Sequence, residues 1–292
     1  MKAARAWKPL NDLSRHIMSE ADRSQYADEV TTFSESELQH LLEVAAPPVC
    51  LLGGWAVHIH VTDAFREEHG RSYIGSRDID LGVHVDSEWD ANTLQSKPVS
   101  TTLTNIESEL AYNRGRFGFY QYFHRTTKEA LSDEDAADYP QHEIFRLDID
   151  VLPSTTELDS FTEAFGFRPP ADPLLDPVFT DNQLEKLNKF VPWDAPADAR
   201  LVPRPILAAM KVRAFPERDK SHKRLKDIAD LHALVWYGSD FNQLRSDIEN
   251  HLTQDDITRF KNGTSTELFA SAAMLIGVDR DVLQNSIQQL FI

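Results

Sequence analysis

Two short stretches of sequence decide the fold: residues 49–57 are VCLLGGWAV and residues 76–81 are SRDIDL. The first is a continuous apolar run that ends at Gly53-Gly54, which predicts a short buried strand followed by a turn. In the second, apolar residues alternate with Asp78 and Asp80, so a strand there carries both carboxylates on one face. Two carboxylates so close together repel each other unless a cation lies between them, and hard oxygen ligands of this kind suit Mg²⁺.

A third stretch, residues 144–152 with the sequence IFRLDIDVL, also alternates and predicts a strand with Asp148 and Asp150 on one face. A carboxylate on a neighbouring strand would complete a two-metal site, which holds the attacking and leaving oxygens of a phosphoryl transfer. The glycine pair would let a triphosphate approach backbone N–H groups at a helix N-terminus. Together the three stretches predict nucleotidyl transfer with Mg²⁺ or Mn²⁺.

The remaining sequence predicts an α+β protein, with a small mixed β-sheet nucleotidyltransferase domain flanked by helices and an all-helical C-terminal domain. Apolar spacing predicts helices over residues 11–46 and 99–112, a strand over residues 117–123 and only helices beyond Pro205. The residues that follow the glycine pair, 55–61, fit either a strand or a short helix. The acidic residues 132–138 predict a solvated loop.

Two Pro-rich stretches predict the domain boundary. Residues 168–178 and 191–205 have the composition of connectors that follow the surface. The predicted division is an N-terminal helical lead-in over residues 1–46, a catalytic domain over residues 47–195 and a helical domain over residues 196–292. The sequence contains no internal repeat.

Composition excludes several classes of protein. With 292 residues, of which 41% are hydrophobic, the chain can bury a core and is not disordered as a whole. Its net charge of −17 argues against nonspecific binding to nucleic acid or to an anionic membrane, so any RNA contact must be local. No apolar stretch approaches the roughly 18 residues of a membrane helix, and the one cysteine, Cys50, excludes an intrachain disulfide. We therefore expect a cytoplasmic protein without membrane contact.

This acidic chain has one local concentration of positive charge, which we name the basic island. Nine Lys and Arg residues lie from Arg200 to Lys226, opposed only by Glu217 and Asp219. They fit either a solvated helical face or a groove for a polyanion beside the catalytic cleft, and such a groove would suit tRNA or another phosphate-rich acceptor. Five of the nine are the predicted RNA-binding residues: Arg213, Arg218, Lys220, Lys223 and Arg224.

At these motifs the chain resembles the DNA polymerase β-like nucleotidyltransferases, whose pattern is a glycine turn, an Asp-x-Asp strand and a later acidic strand residue. Within that superfamily it looks most like the AbiEii type, which includes the toxins of type IV toxin–antitoxin pairs and the related MenT toxins. Besides residues 53–57 and 76–81, the resemblance rests on Lys211 in an Ala-Ala-Met-Lys helix and on residues 226–231, KDIADL. The last of these matches a Lys/Arg-Asp-x-x-Asp motif.

The resemblance implies roles for the carboxylates. Asp78 and Asp80 would hold the metal ion on the triphosphate, and Asp150 would share the catalytic metal ion and help to deprotonate the acceptor hydroxyl. Asp150 matches the hydrophobic-Asp-hydrophobic strand end of the family better than Asp148 does, and Asp148 stays the alternative. The chain departs from the family in the interval before Asp78, which residues 62–76 lengthen.

The resemblance also implies how the nucleotide is bound. The backbone at Gly53-Gly54 would approach the triphosphate, and Lys211 would neutralise its charge. Asp227 or Asp230 could orient Lys211 or contact the nucleotide. On the residues alone, Lys226 and Asp230 also fit an ion pair between positions i and i+4 on a helix face.

We therefore expect a metal-dependent nucleotidyltransferase that moves a nucleoside monophosphate from an NTP to an acceptor hydroxyl and releases pyrophosphate. By resemblance, the acceptor is the 3′ end of tRNA, and the protein is a growth-arresting toxin with a cognate antitoxin. Two alternatives stay open: an antibiotic-type enzyme that adenylylates a small molecule, and a catalytically silent module that binds nucleotide or a partner protein.

Overall fold

The structure is a computed structural model that describes residues 28–181, 186–238 and 240–291. The predicted N-terminal helix falls outside the described residues up to residue 27, and its described part is a helix, α1, over Asp28–Val44. Within the described ranges, no helix combines the length and the apolarity that crossing a membrane requires.

A mixed seven-stranded sheet lies at the centre of the part of the chain that precedes the C-terminal helices. The strands are β1 (Val49–Leu52), β2 (Ile79–Val83), β3 (Asn113–Arg114), β4 (Gly118–His124), β5 (Ala130–Leu131), β6 (Ile144–Pro153) and β7 (Ala199–Leu201). Their order across the sheet is β3-β4-β6-β2-β1-β7, and β5 pairs with β4. The predicted α+β class and the strands at all three motifs are confirmed.

The three motif strands are neighbours in this sheet. β1 is apolar at every position and fully buried, as expected of a strand covered on both faces. It pairs with β2 in antiparallel register, and β2 pairs with β6 in parallel register. Because of that second pairing, Asp80 lies directly opposite Asp150.

Helices cover the sheet, and among the described residues after β7 the regular elements are helices joined by short loops. Those of the first half are α2 (Gly53–His69), α3 (Ala91–Gln95), α4 (Pro98–Ser108), α5 (Asp133–Asp138), α6 (Asp159–Phe165) and α7 (Asp176–Thr180). Those of the second half are α8 (Arg204–Ala214), α9 (Ser221–Trp236), α10 (Phe241–Glu249), α11 (Gln254–Gly263), α12 (Thr266–Ile276) and α13 (Arg280–Gln289). The predicted helical C-terminal region is therefore confirmed.

The residues after the glycine pair are helical, which resolves the choice that the sequence left open. Val57, Val61 and Phe65 recur four residues apart in α2 and are all buried. The helix ends at Gly70, whose φ of 70° is the left-handed conformation that glycine adopts without strain. Residues 62–76, the interval before Asp78, therefore form the second half of α2 and most of the loop that follows it.

The prediction of a loop over residues 132–138 is wrong, because Asp133–Asp138 form the helix α5. Ser132 caps its N-terminus by accepting a hydrogen bond from the Asp135 backbone N–H. Acidic side chains in the first turn favour this position, because they face the positive end of the helix dipole. A cap and three acids therefore mark the start of a helix here.

One strand lies beyond the predicted domain boundary. β7, within the second Pro-rich stretch, pairs in parallel with β1, so residues 199–201 belong to the sheet. The helices that follow pack around α9, which is buried from Leu225 to Val235 and also contacts α2. The helical region is thus joined directly to the helix that begins at the glycine turn, and the division at residue 195 stays a prediction.

Candidate active site

The glycine pair lies where β1 passes into α2, and close neighbours require both glycines. Gly53 has a φ of 64°, and a Cβ built there would overlap the Asp80 carboxylate. A Cβ on Gly54 would lie 2.8 Å from the Ser76 hydroxyl oxygen. The first turn of α2 has no side-chain cap and no acidic residue, so the helix itself does not compensate the positive end of its dipole.

Asp80 and Asp150 form a pair of like charges beside this turn. They are partners on the parallel strands β2 and β6, and both line the cavity at the glycine turn. Burial and the nearby charge of Asp78 raise the pKa of Asp80. Burial first, and then the charge of Asp80, raises the pKa of Asp150 from 3.8 to about 7. The two carboxylates are thus placed where their negative charge is unfavourable without a cation.

Asp78 has a different environment from the other two carboxylates. It accepts a hydrogen bond from Arg77 Nε at 3.1 Å, and Lys223 Nζ lies 3.4 Å from its other oxygen. Burial acts to raise the pKa of Asp78, but the charges of Arg77 and Lys223 outweigh burial and lower it. Asp78 is therefore held as an anion by side chains of the protein.

Asp148 projects from the same strand as Asp150, two residues earlier. It accepts a hydrogen bond from Arg146 Nε at 2.8 Å, and it does not line the cavity at the glycine turn. Burial and the charge of Asp78 raise its pKa. The geometry therefore brings Asp150, and not Asp148, beside Asp80, and the role of each stays a prediction.

The helical side of the cavity carries a buried network of ion pairs, which we name the charge cluster. Lys211 Nζ donates to Asp227 Oδ1 at 2.9 Å and to Asp230 Oδ2 at 2.6 Å. Lys226 Nζ donates to Asp230 Oδ1 at 2.6 Å, and Arg218 Nε donates to Asp227 Oδ2 at 2.8 Å. The ion pair that the spacing of Lys226 and Asp230 suggested is present, but it is buried in the cluster and does not lie on a solvated helix face.

Burial and the ion pairs act in opposite directions on the pKa values of the two lysines in the charge cluster. It acts to lower the pKa of Lys211, but Asp227 and Asp230 outweigh it and raise that pKa. The pKa of Lys226 is lowered, because burial and the charge of Lys211 prevail over its contact with Asp230. Lys211 therefore stays a cation beside the cavity, in the place where a phosphate group would need one.

The carboxylates fit a divalent cation in their chemistry, although the side chains are not gathered around one point. Among the described residues, no three His, Cys, Asp or Glu side chains stand close enough to form a complete metal site. The raised pKa values of Asp80 and Asp150 still identify a place where a cation would relieve repulsion. Asp78 lines the same cavity as these two carboxylates and is the third residue that could contribute a ligand.

Two further cavities meet at Asp150, one on each side. A cavity of about 440 Å³ extends from Gly53 and Asp80 between β6 and α8, with apolar walls at Leu152, Leu207 and Met210. A wider groove of about 1480 Å³ extends from Asp78 and Asp150 along β4 and β6 to α5. The carboxylate of Asp150 is therefore accessible from two directions.

Three of the five predicted RNA-binding residues lie at the cavity of the glycine turn or in the wide groove. Arg218 and Lys223 line the cavity at the glycine turn, and Lys223 also lines the wide groove together with Lys220. Their positive charge thus lies beside the carboxylates and not on a separate helix face.

Of the other two predicted RNA-binding residues, one lies at the cavity of about 440 Å³ and the other lies away from the carboxylates. Arg213 pairs with Asp172 at 2.9 Å on the smaller cavity. The guanidinium of Arg224 lies over the Phe215 ring and donates to the Gly263 carbonyl oxygen. The basic island is therefore divided among three faces, and the part played by each residue in RNA binding stays a prediction.

Sequence reasoning missed several side chains in or next to the site, among them Arg77 and Tyr73. Arg77 lines the cavity and bonds to Asp78, and its signal was its position inside the SRDIDL motif. Tyr73 donates its hydroxyl hydrogen to Asp230 Oδ1 at 2.9 Å. No local pattern could have revealed Tyr73, because its partner is 157 residues away along the chain.

The sheet with its carboxylates, the glycine turn and the lysine on the facing helix together define a nucleotidyltransferase. A model of the nucleotidyl transferase AbiEii toxin family, of type IV toxin–antitoxin systems, matches residues 69–288. The chain belongs to this family, which confirms the resemblance. The glycine pair, Gly53-Gly54, lies 15 residues before the start of the match at residue 69.

Comparison with individual proteins adds little detail. The fold is similar to that of an antigenic nucleotidyltransferase-like protein from Paracoccidioides brasiliensis, with 16% sequence identity and a TM-score of 0.36. The alignment covers 81% of this chain and 94% of that chain. No curated protein matches the sequence.

Proposed function

We propose that this enzyme transfers a nucleoside monophosphate from an NTP to a hydroxyl at the 3′ end of tRNA, in the cytoplasm, as the toxin of a toxin–antitoxin pair. The observation that carries the proposal is the register of Asp80 with Asp150 beside the glycine turn, opposite Lys211. Two carboxylates of raised pKa and a buried cation in one cavity are suited to binding a metal–triphosphate complex. The cognate antitoxin would restrain this activity.

The reaction is a displacement at the α-phosphorus. The acceptor hydroxyl oxygen forms a bond to that phosphorus, and the bond from the phosphorus to the oxygen that leads to the β-phosphate breaks. Pyrophosphate leaves with the electrons of the broken bond, and the hydroxyl proton passes to Asp150 and then to water.

Mg²⁺ or Mn²⁺ held by Asp78, Asp80 and Asp150 would, when bound, neutralise the charge that develops on the phosphate oxygens. The protein supplies the rest of the positive charge from Lys211, Arg218 and the N-terminus of α2. We assign the triphosphate to the glycine turn, because Gly54 lets it approach the backbone there.

The nucleoside is assigned to the cavity of about 440 Å³ on the α8 side of the carboxylates. This volume falls in the range of roughly 300–1,000 Å³ that is typical of small-molecule sites. Its apolar walls at Leu207 and Met210 suit a base, and the Arg213–Asp172 pair supplies polar groups at its edge.

The test is to incubate the purified protein with each α-labelled NTP, a divalent metal ion and total tRNA, with Asp80→Ala as the control. We expect label on tRNA from one NTP, lost in the variant by several orders of magnitude. Label on no RNA, together with measurable NTP binding, would refute tRNA as the acceptor. The small-molecule enzyme and the silent module would then be distinguished by turnover with cationic antibiotics.

A further inference from the structure

The wide groove between the carboxylates and α5 is too large for the nucleotide alone. Its volume of about 1480 Å³ exceeds the roughly 300–1,000 Å³ of small-molecule sites, whereas the cavity on the α8 side lies inside that range. The groove reaches the site at Asp78 and Asp150, where the acceptor hydroxyl must arrive. A long ligand with one end at Asp150 fits this shape.

The side chains of the groove combine aromatic rings with cations. Tyr122 and Tyr139 line it, and Tyr139 is 40% exposed beside the His124 ring. Arg125 and Lys220 also line the groove and supply positive charge. Rings for stacking beside cations for phosphates are the means by which proteins bind single-stranded nucleic acid.

The charges of the groove are not all compensated by the protein. Asp148 is neutralised by Arg146, and Asp133 accepts a hydrogen bond from the Tyr120 hydroxyl. By contrast, the Nε of Arg125 is buried without a hydrogen-bond partner among the described residues. No carboxylate of the described residues pairs with this guanidinium at ion-pair distance through that nitrogen, so the positive charge of Arg125 can attract a phosphate in the groove.

We propose that this groove binds the unpaired 3′-terminal nucleotides of the RNA acceptor, with bases stacked on Tyr122 and Tyr139 and phosphates near Arg125 and Lys220. The proposal rests on the proposed function, because it needs the terminal hydroxyl to reach Asp150. A single strand is required, since the bases of a duplex have no free face for a ring to stack on. Arg213 and Arg224 lie outside the groove and contribute no contact.

The first experiment measures binding without catalysis. A fluorescent single-stranded RNA of about 10 nucleotides is titrated against the full chain, and its anisotropy gives the dissociation constant. Tyr139→Ala is expected to weaken binding about 10-fold, because one stacked base is lost, and Tyr139→Phe to retain most of it. Phe117→Ala, which removes a ring that is 47% exposed outside the groove, is the matched control and should leave binding unchanged.

The second variant tests the charge of the groove. Arg125→Ala is expected to lower the dependence of binding on salt by about one unit of slope, because one phosphate contact is lost. Its control is Arg280→Ala, which removes a cation that is 52% exposed on α13. Thermal unfolding of all variants would exclude loss of the fold as the cause.

Transfer assays then separate this proposal from the proposed function. With tRNA as acceptor, Tyr139→Ala should raise the KM for RNA about 10-fold and leave the KM for NTP unchanged. Normal transfer by Tyr139→Ala and Arg125→Ala, or equal affinity for the same sequence as a duplex, would overturn the groove assignment alone. Absence of transfer to any RNA by the unaltered protein would overturn the proposed function, and the binding titrations would still decide whether the groove holds single strands.

Discussion

The two sides of the active site handle buried charge in opposite ways. On the sheet, Asp80 and Asp150 face each other across two strands, and their raised pKa values reflect burial and mutual repulsion. On the helices, Lys211 is bonded to both Asp227 and Asp230 within 3 Å. The sheet side carries an excess of carboxylates, whereas on the helical side each carboxylate is bonded to two cations.

This difference indicates a division of labour. Unbalanced carboxylates are unfavourable in the free protein and become favourable when cations arrive, so they suit a site whose ligands come and go. A closed network of ion pairs keeps its geometry with or without ligand, so it suits a fixed cation that receives the phosphate. Changes on the sheet side should therefore affect transfer, and changes on the helical side should affect stability.

The largest effect is expected for Asp150→Asn. Transfer should fall about 10³-fold or more, because both the metal ligand and the proton acceptor are lost. The free energy of unfolding should rise by about 0.5–2 kcal/mol at pH 8, because one member of a repelling pair is removed. Urea unfolding and a transfer assay on the same preparation measure both effects.

Asp148→Asn is the matched comparison, since this carboxylate lies on the same strand face but bonds to Arg146. Its effect on transfer should be much smaller than that of Asp150→Asn. The reverse order of the two effects would identify Asp148 as the third ligand and contradict the assignment.

The next effect concerns the helical side. Asp230→Asn leaves Lys211 and Lys226 without a shared anion, and the variant should lose about 3–5 kcal/mol of stability. Asp281→Asn breaks an exposed pair with Arg280 and should lose less than about 1 kcal/mol. Equal losses in the two variants, measured by urea unfolding, would mean that the charge cluster is not the rigid part of the site.

Much of the sheet side could be predicted from the sequence because its signals are local. A glycine pair after an apolar run, and acids two residues apart on alternating strands, occur within a few residues of each other. The presence of a strand in each of residues 49–57, 76–81 and 144–152 could therefore be predicted from the sequence. The register that places Asp80 opposite Asp150 did not, because pairing between distant strands is set by the whole sheet.

The helical side was harder to predict, because its contacts are long-range. Residues 226–231 gave the helix and its charged positions, but their spacing could not show whether they face solvent or the cavity. The contact of Tyr73 with Asp230 and the division of the basic island depend on how helices pack against the sheet. The helix α5 was missed because its acidic composition suggested a loop, although Ser132 and the acids that follow are typical of a helix start.

A third test asks whether the helical region can bury the positive charge of a protonated histidine. His232 on α9 is fully buried, and its Nδ1 lies 2.6 Å from the Ser286 hydroxyl oxygen. Burial first, and then the charge of His69, lowers its pKa from 6.5 to about 4. Because the unfolded chain takes up this proton first, stability should fall as the pH drops from about 6.5 to about 4, by about 3 kcal/mol in total.

The measurement is urea unfolding of the protein and of His232→Gln across this range of pH. The free energy of unfolding of the unaltered protein, relative to that of His232→Gln, should fall by about 3 kcal/mol toward pH 4. The reason is that the variant has no imidazole to protonate at this position. His142→Gln, which alters a side chain that is 82% exposed, is the control and should keep a constant difference. A constant difference for His232→Gln as well would show that the helical side accommodates the charge.

The smallest effect is expected for Tyr73→Phe, which removes the hydroxyl that donates to Asp230. The variant should lose about 1 kcal/mol of stability, since Asp230 keeps its bonds to both lysines. Tyr120→Phe removes a similar bond to Asp133 at an exposed position and should lose less, because water replaces the donor there. Urea unfolding of the pair tests whether a hydrogen bond to the charge cluster is stronger because it is buried. Both sides of the site are buried, and they differ in how their charges are paired.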